Sequence, residues 1–270
     1  MQLAERTRER RPRLHRSVFG SSVEAGLDWL RRAHSPKAEI VVAAVLYLLY
    51  EGGRGLVAHS FGLARHHAEL VVGTERSLHI LWEHGIEQAV TTVPALTAAL
   101  GAAYMTLHLG ATLLLLIWLY RRHRDVFPVA RTALIAATAL ALVVHIAFPT
   151  APPRLIGLTA DAVTERTHID LNSHILGALY NPIAAMPSMH FGYALLIGLT
   201  VAKLGRSILS RVLGALYPAF ILFVIVATGN HYILDAAAGG AVMVAGIAAA
   251  AAVCRGLTTT GAGRAPRPRQ

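Results

Sequence analysis

His231 and Asp235 stand four residues apart where an apolar run resumes, so both lie on one face of a helix start within side-chain reach of each other. A carboxylate so placed can fix the proton on one imidazole nitrogen and leave the other as a nucleophile, the orienting logic of hydrolase triads. The plainer reading is a polar pair that anchors a helix end in the headgroup layer, although ionisable groups at the edge of an apolar span are costly and are functional by default. Upstream, the run Pro187-Ser188-Met189-His190 reads as another helix start. Ser188 can cap it, the following N–H groups form an anion site, and His190 beside that site suits protonation of a leaving oxygen. Arg154, after Pro152 and Pro153, offers a planar fork of donors for a phosphate, though an arginine at a bilayer edge also serves as a snorkelling anchor. Nucleophile, acid and charge stabilisation are together what phosphoryl transfer through a phosphohistidine needs, with no metal or other cofactor called for.

Positioning these residues falls to hydrophobic segments. The 270 residues are 54% hydrophobic and 15% charged, and the mean hydropathy of +0.50 is that of a membrane protein. Six stretches are candidates to span a bilayer: about 38–60, 94–120, 130–148, 189–204, 212–229 and 232–254. Between the first two, residues 64–92 mix Leu63, Val71, Leu78, Leu81, Trp82 and Ile86 with Glu75, Arg76, Glu83 and Glu87. That mixture predicts an amphipathic helix lying at the interface. The fold class is therefore all-α, a six-span helical bundle with an interfacial helix. The domain plan is a basic tail over 1–37, a membrane domain over 38–254 and a disordered basic tail over 255–270.

Lysines and arginines orient the bundle. Of the 25, twenty fall in the N-terminal tail, the Arg121–Arg131 and Lys203–Arg211 connections and the C-terminal tail. Short loops rich in them stay in the cytoplasm, so both termini are expected there, as an even number of spans requires. The clusters around Arg154, His190 and His231 then share the extracytoplasmic face of an integral membrane protein. The net charge of +10 sits between apolar runs and not on a soluble face with base-reading groups, so nucleic acid is not an expected partner. The single cysteine, Cys254, excludes an internal disulfide, and no Cys/His spacing resembles a zinc site.

With these motifs in hand, the chain resembles the type 2 phosphatidic acid phosphatase superfamily, whose pattern is an Arg-Pro cluster, then PSGH, then S-R-x5-H-x3-D across six spans. PSMH at 187–190 and His231-x3-Asp235 match it, and PTAPPRL at 149–155 fills the first slot in variant form. The resemblance covers roughly residues 94–250. It implies His231 as the nucleophile, His190 as the leaving-group acid, Asp235 as the partner of His231, and Arg154 with Ser188 as phosphate binders. Met189 replaces the glycine of PSGH, and Ile225 stands where the pattern has arginine. With those departures the motifs look more like the inositol phosphorylceramide synthase and sphingolipid synthase branch. A phosphodiester carries less charge than a monoester, so one cation fewer suits it.

Met189 and Asn230, inside the two histidine motifs, join the candidate substrate contacts. Tyr104 and His108, four apart in the second span, can face the headgroup, or can equally serve as a polar link between helices. His145, one turn before Pro149, is as ambiguous. Asp161, His168, Asp170, Asn172 and His174 populate the outer loop, where a metal cluster is conceivable but a solvated loop is the plainer reading. The expected activity is transfer of a phosphorylated headgroup from a phospholipid donor to a lipid alcohol such as ceramide or diacylglycerol. The alternative is a lipid phosphate phosphatase with water as acceptor. An ion-coupled transporter, the remote alternative, would keep its polar residues near the midplane, and an intramembrane serine protease would want its nucleophile exposed in a strained Gly-rich turn or deep in a helix, neither of which PSMH offers.

Overall fold

The computed structural model describes residues 26–32, 34–55, 60–161 and 183–255. Eight helices organise them. These are α1 (Pro36–Gly55), α2 (Phe61–Ser77), α3 (Glu83–Thr91), α4 (Pro94–Arg122), α5 (Phe127–Ala147), α6 (Met189–Leu204), α7 (Ile208–Ala227) and α8 (Ile233–Arg255). Among the described residues there is no strand, and an isolated bridge joins Thr150 to Ala184. The readings of both tails beyond these limits, and the His168, Asp170 and His174 cluster, lie outside the described residues.

Helices α4, α5, α7 and α8 are long and apolar enough to cross a membrane, and α6 is a shorter apolar helix of 16 residues. Their outward faces carry bare leucines, isoleucines and valines such as Leu113, Leu114, Val143, Leu213 and Val244. Such a surface suits lipid, because every helical backbone polar group is already paired within the helix. Prolines and caps fix the ends: Pro94 and Pro128 sit in the first turns of α4 and α5, and a Ser207–Ser210 capping box opens α7.

Small residues set the packing. Helix α8 lies along α5 and across α6, and α7 lies along α6. A side chain on Gly246 would come within 2.7 Å of the Ala133 carbonyl oxygen, and one on Gly198 within 2.7 Å of the Gly214 carbonyl oxygen. Absent side chains let these backbones approach, and the contacts they gain stand in for the hydrophobic force that lipid does not supply.

The segment 64–92 departs from the single helix expected of it. It forms two helices, α2 and α3, broken at His79, whose φ of 59° is left-handed. Its amphipathic pattern also faces the other way from an ordinary interfacial helix. Phe61, Leu63, Leu70, Leu78 and Trp82 point outward, while Glu75, Glu83 and Glu87 are buried against the bundle. For Glu75 and Glu83 the reason lies in the far end of the chain, where the first turn of α8 offers them its backbone N–H groups.

Candidate active site

Two chain turns bring the histidines together. Helix α7 ends in a Schellman motif: Gly229, at φ 67°, donates its N–H to the Val226 carbonyl, and Asn230 donates to the Ile225 carbonyl. A side chain at Gly229 would lie 2.4 Å from Thr159 Oγ1, so both conformation and space require glycine. His231 leaves this turn just before α8 begins. Helix α6 starts at the Ser188 cap, whose Oγ accepts from the Phe191 N–H at 3.4 Å. The two helix starts touch directly, since the Ser188 N–H donates to the Asp235 carbonyl at 2.9 Å. A Cβ on Gly239 would fall 2.0 Å from the Ser188 carbonyl oxygen, and one on Gly192 2.9 Å from the Gly239 carbonyl oxygen. The glycine crossing of α6 and α8 thereby sets how close His190 comes to His231, with ring centroids 5.4 Å apart.

His231 is buried, and its Nδ1 lies 3.0 Å from the Ala185 carbonyl oxygen and 3.3 Å from Asp235 Oδ2. Both neighbours accept, so Nδ1 holds the ring proton and Nε2 keeps its lone pair. Asp235 is fully buried, and the same Oδ2 accepts the Tyr232 N–H at 3.0 Å, which ties the carboxylate to the helix start. Tyr232 donates its hydroxyl to the Ala151 carbonyl at 3.1 Å, and burial, with Asp235 adding to it, pushes that hydroxyl above the ordinary phenol range. The half-buried His190 ring stacks on Tyr104 at 4.5 Å and meets His108 at 4.4 Å; His108 in turn stacks on Tyr193, whose hydroxyl bonds Thr138 at 2.5 Å. A cavity of about 10 Å³, room for one water, opens beside His190, Tyr104, His108 and Ile225.

Arg154 sits in a 3-10 turn, Pro153–Leu155, with its side chain buried. Its Nε donates to Asn230 Oδ1 at 3.0 Å and its NH1 to Asp161 Oδ2 at 3.2 Å, while its backbone N–H reaches the Gly229 carbonyl at 3.1 Å. The arginine loop and the His231 turn are thus one unit. Asn230, expected to touch substrate, has its carboxamide engaged by Arg154 and by Thr228. Ser188 is fully buried with its hydroxyl capping α6, and the Met189 side chain packs with Leu134, Ala137 and Met243 in the apolar core. For Met189 only the backbone remains to meet a substrate. Tyr104 and His108 do gather at His190, whereas His145 turns to the Pro187 carbonyl at 3.3 Å. Ile225, in the slot of the pattern's arginine, is fully buried, and among the described residues no lysine or arginine lines the cavity there.

The sequence reading did not assign two residues that meet this unit, Glu75 and Glu83. Glu75 Oε1 accepts the Leu234 N–H at 2.7 Å and Glu83 Oε1 accepts the Ile233 N–H at 3.0 Å. Their signal was in the sequence, as glutamates interrupting an apolar pattern, but not their partners, which lie 150 residues or more away along the chain. Residues 69–249 match the model of the PAP2 superfamily. No curated protein and no solved structure matches the chain. That match runs from α2 through most of α8 and takes in both histidine turns, and on it the chain belongs to the PAP2 superfamily, enzymes of the phosphatase and phosphotransferase kind.

Proposed function

We propose that the protein transfers a phosphorylated headgroup from a phospholipid to a lipid alcohol through a phosphohistidine at His231. The observation that carries this reading is the hold on His231: two acceptors at Nδ1 leave Nε2 as the nucleophile, and His190 faces it. Nε2 attacks phosphorus, the N–P bond forms as the bond to the departing lipid oxygen breaks, and His190 gives that oxygen its proton. The acceptor hydroxyl then attacks phosphorus, the N–P bond breaks and the hydroxyl proton goes to His190. Asp235 holds the positive charge that the phosphorylated ring carries, and Arg154 with the N–H groups opening α6 binds the phosphoryl oxygens. Ile225 in place of an arginine favours a singly charged diester over a doubly charged monoester. In the membrane, α1 and α6 join the four long helices as spans, both termini lie in the cytoplasm and the histidines face the other side. The basic Arg121, Arg122 and Arg124 around the α4–α5 connection and Lys203, Arg206 and Arg211 around the α6–α7 connection support that orientation.

The test incubates purified protein in detergent with phosphatidylinositol or phosphatidic acid, with and without ceramide or diacylglycerol, and follows products by mass spectrometry. A new phospholipid that needs the acceptor and disappears in His231→Ala is the expected result. Free phosphate from phosphatidic acid, indifferent to acceptor, would make water the acceptor and retire the argument from Ile225. Substantial turnover by His231→Ala would remove His231 as nucleophile.

A further inference from the structure

The first turn of α8 presents three backbone N–H groups, and each meets a buried carboxyl. Tyr232 donates to Asp235, Ile233 to Glu83 and Leu234 to Glu75. None of the three carboxyls is exposed to solvent. Asp235 belongs to the catalytic unit already described, but Glu75 and Glu83 come from α2 and α3, outside every motif used so far. Among the described residues the second oxygen of each, Oε2, receives no donor from the rest of the chain. The two buried carboxyls accept from consecutive N–H groups of one helix start, and like charges brought together in that way favour a proton held by the pair. Burial first, then the Glu83 and Asp235 carboxyls, push Glu75 up to about 8 against the lowering bond from the Leu234 N–H. Tyr232 and Asp235, at the start of α8, are titratable groups whose charge reaches the pair.

We propose that Glu75 and Glu83 are positioning residues for the transfer step, a carboxyl pair sharing one proton that clamps the first turn of α8 and so fixes the His231–Asp235 couple against His190. The α2–α3 segment holds the other half of the site as well. Ala64 accepts the Ala151 N–H at 3.1 Å, and His67 Nδ1 bonds the Pro149 carbonyl at 2.7 Å, so one segment grips both the arginine loop and the histidine turn. Shared protonation matters because a neutral pair would leave the helix start short of acceptor charge, and a doubly ionised pair would repel itself open. The inference rests on the His231 reading for its consequence in catalysis, and on the hydrogen bonds alone for the pair itself.

Glutamine in either position distinguishes a shared proton from a mere structural contact. In Glu75→Gln or Glu83→Gln one oxygen still caps the helix and the amide N–H replaces the shared proton, so each single variant keeps turnover near wild type. In the double variant two amide groups face each other donor to donor, and kcat falls at least roughly tenfold, the scale of a lost buried hydrogen bond, with KM little changed. The alkaline limb of kcat moves upward in both single variants, because the proton that wild type loses near pH 8 is no longer titratable. Infrared difference spectra of the intact protein read the same proton without activity. A carboxylic acid C=O band present at neutral pH should bleach through about pH 8 in wild type and be missing from either single variant. A band that persists in Glu75→Gln, or a double variant as active as the singles, overturns the proposal. Should the double variant not fold, the infrared comparison of wild type with the singles decides. If His231→Ala keeps its turnover while the infrared result holds, the His231 reading fails and the pair stands; if His231→Ala is dead and the spectra do not differ, the pair alone fails.

Discussion

At His231 the proton is placed by two oxygens, and one of them is a backbone carbonyl that no substitution of a side chain removes. Asp235→Asn therefore does not free the ring, but it can present an amide N–H to Nδ1 and turn the tautomer around, which disarms Nε2. A fall in kcat of about 10²–10⁴, with phosphoenzyme trapping lost in proportion, is the expected outcome in single-turnover assays. Arg154→Lys tests a different quality. Lysine keeps the charge but not the fork that spans Asn230 and Asp161, so substrate binding should weaken at least about tenfold in KM while the protein remains folded. Glu75 adds a stability effect whose sign is fixed by its shift. Its carboxyl sits at about 8 when folded against 4.5 ordinarily, so the folded state holds a proton that the unfolded state has released. Stability should fall as pH rises from about 4.5 to about 8 and level off above, in thermal unfolding followed in detergent. Glu75→Gln should flatten that slope.

Among elements, the crossing of α6 and α8 sets the active geometry with absent side chains. Gly239→Ala would drive a methyl to 2.0 Å from the Ser188 carbonyl oxygen, backbone that no rotamer change can move aside. Parting the helices by about 1 Å should cost on the order of 10²-fold in kcat. The neighbouring Gly240→Ala meets movable side chains, the Phe191 ring at 3.2 Å and Leu195 at 3.8 Å, and should keep near wild-type turnover. The helices themselves were largely legible: 94–120 expected against Pro94–Arg122, and 189–204 against Met189–Leu204. Their edges moved where caps decide, as at Ser207, which starts α7 four residues before the expected 212. The pairing of His231 with Asp235 was legible because it is local, four residues along one helix face. Asn230 and Met189 were not, since their sequence neighbours are catalytic candidates while their side chains serve Arg154 and the core. The glutamates escaped for the opposite reason: their own surroundings read as an interface helix, and what they serve is distant in sequence.

For the whole molecule, the topology proposed above, with both ends in the cytoplasm and the histidines across the membrane, is open to a direct test. Replacing Cys254 by serine leaves a chain without cysteine, against which single cysteines can be scored. Ala160→Cys should react with a membrane-impermeant maleimide on intact cells, and Ser207→Cys only after permeabilisation; the reverse pattern would invert the topology. The inward-facing glutamates also impose an order on biogenesis. When α2 and α3 emerge from the ribosome, the N–H groups that satisfy Glu75 and Glu83 have yet to be synthesised. These two contacts can form only after Ile233 and Leu234 have been made, 150 residues or more further along the chain. A chain stopped short of α8 would lack not only His231 and Asp235 but also the N–H groups that hold the acidic face of α2 and α3 inward.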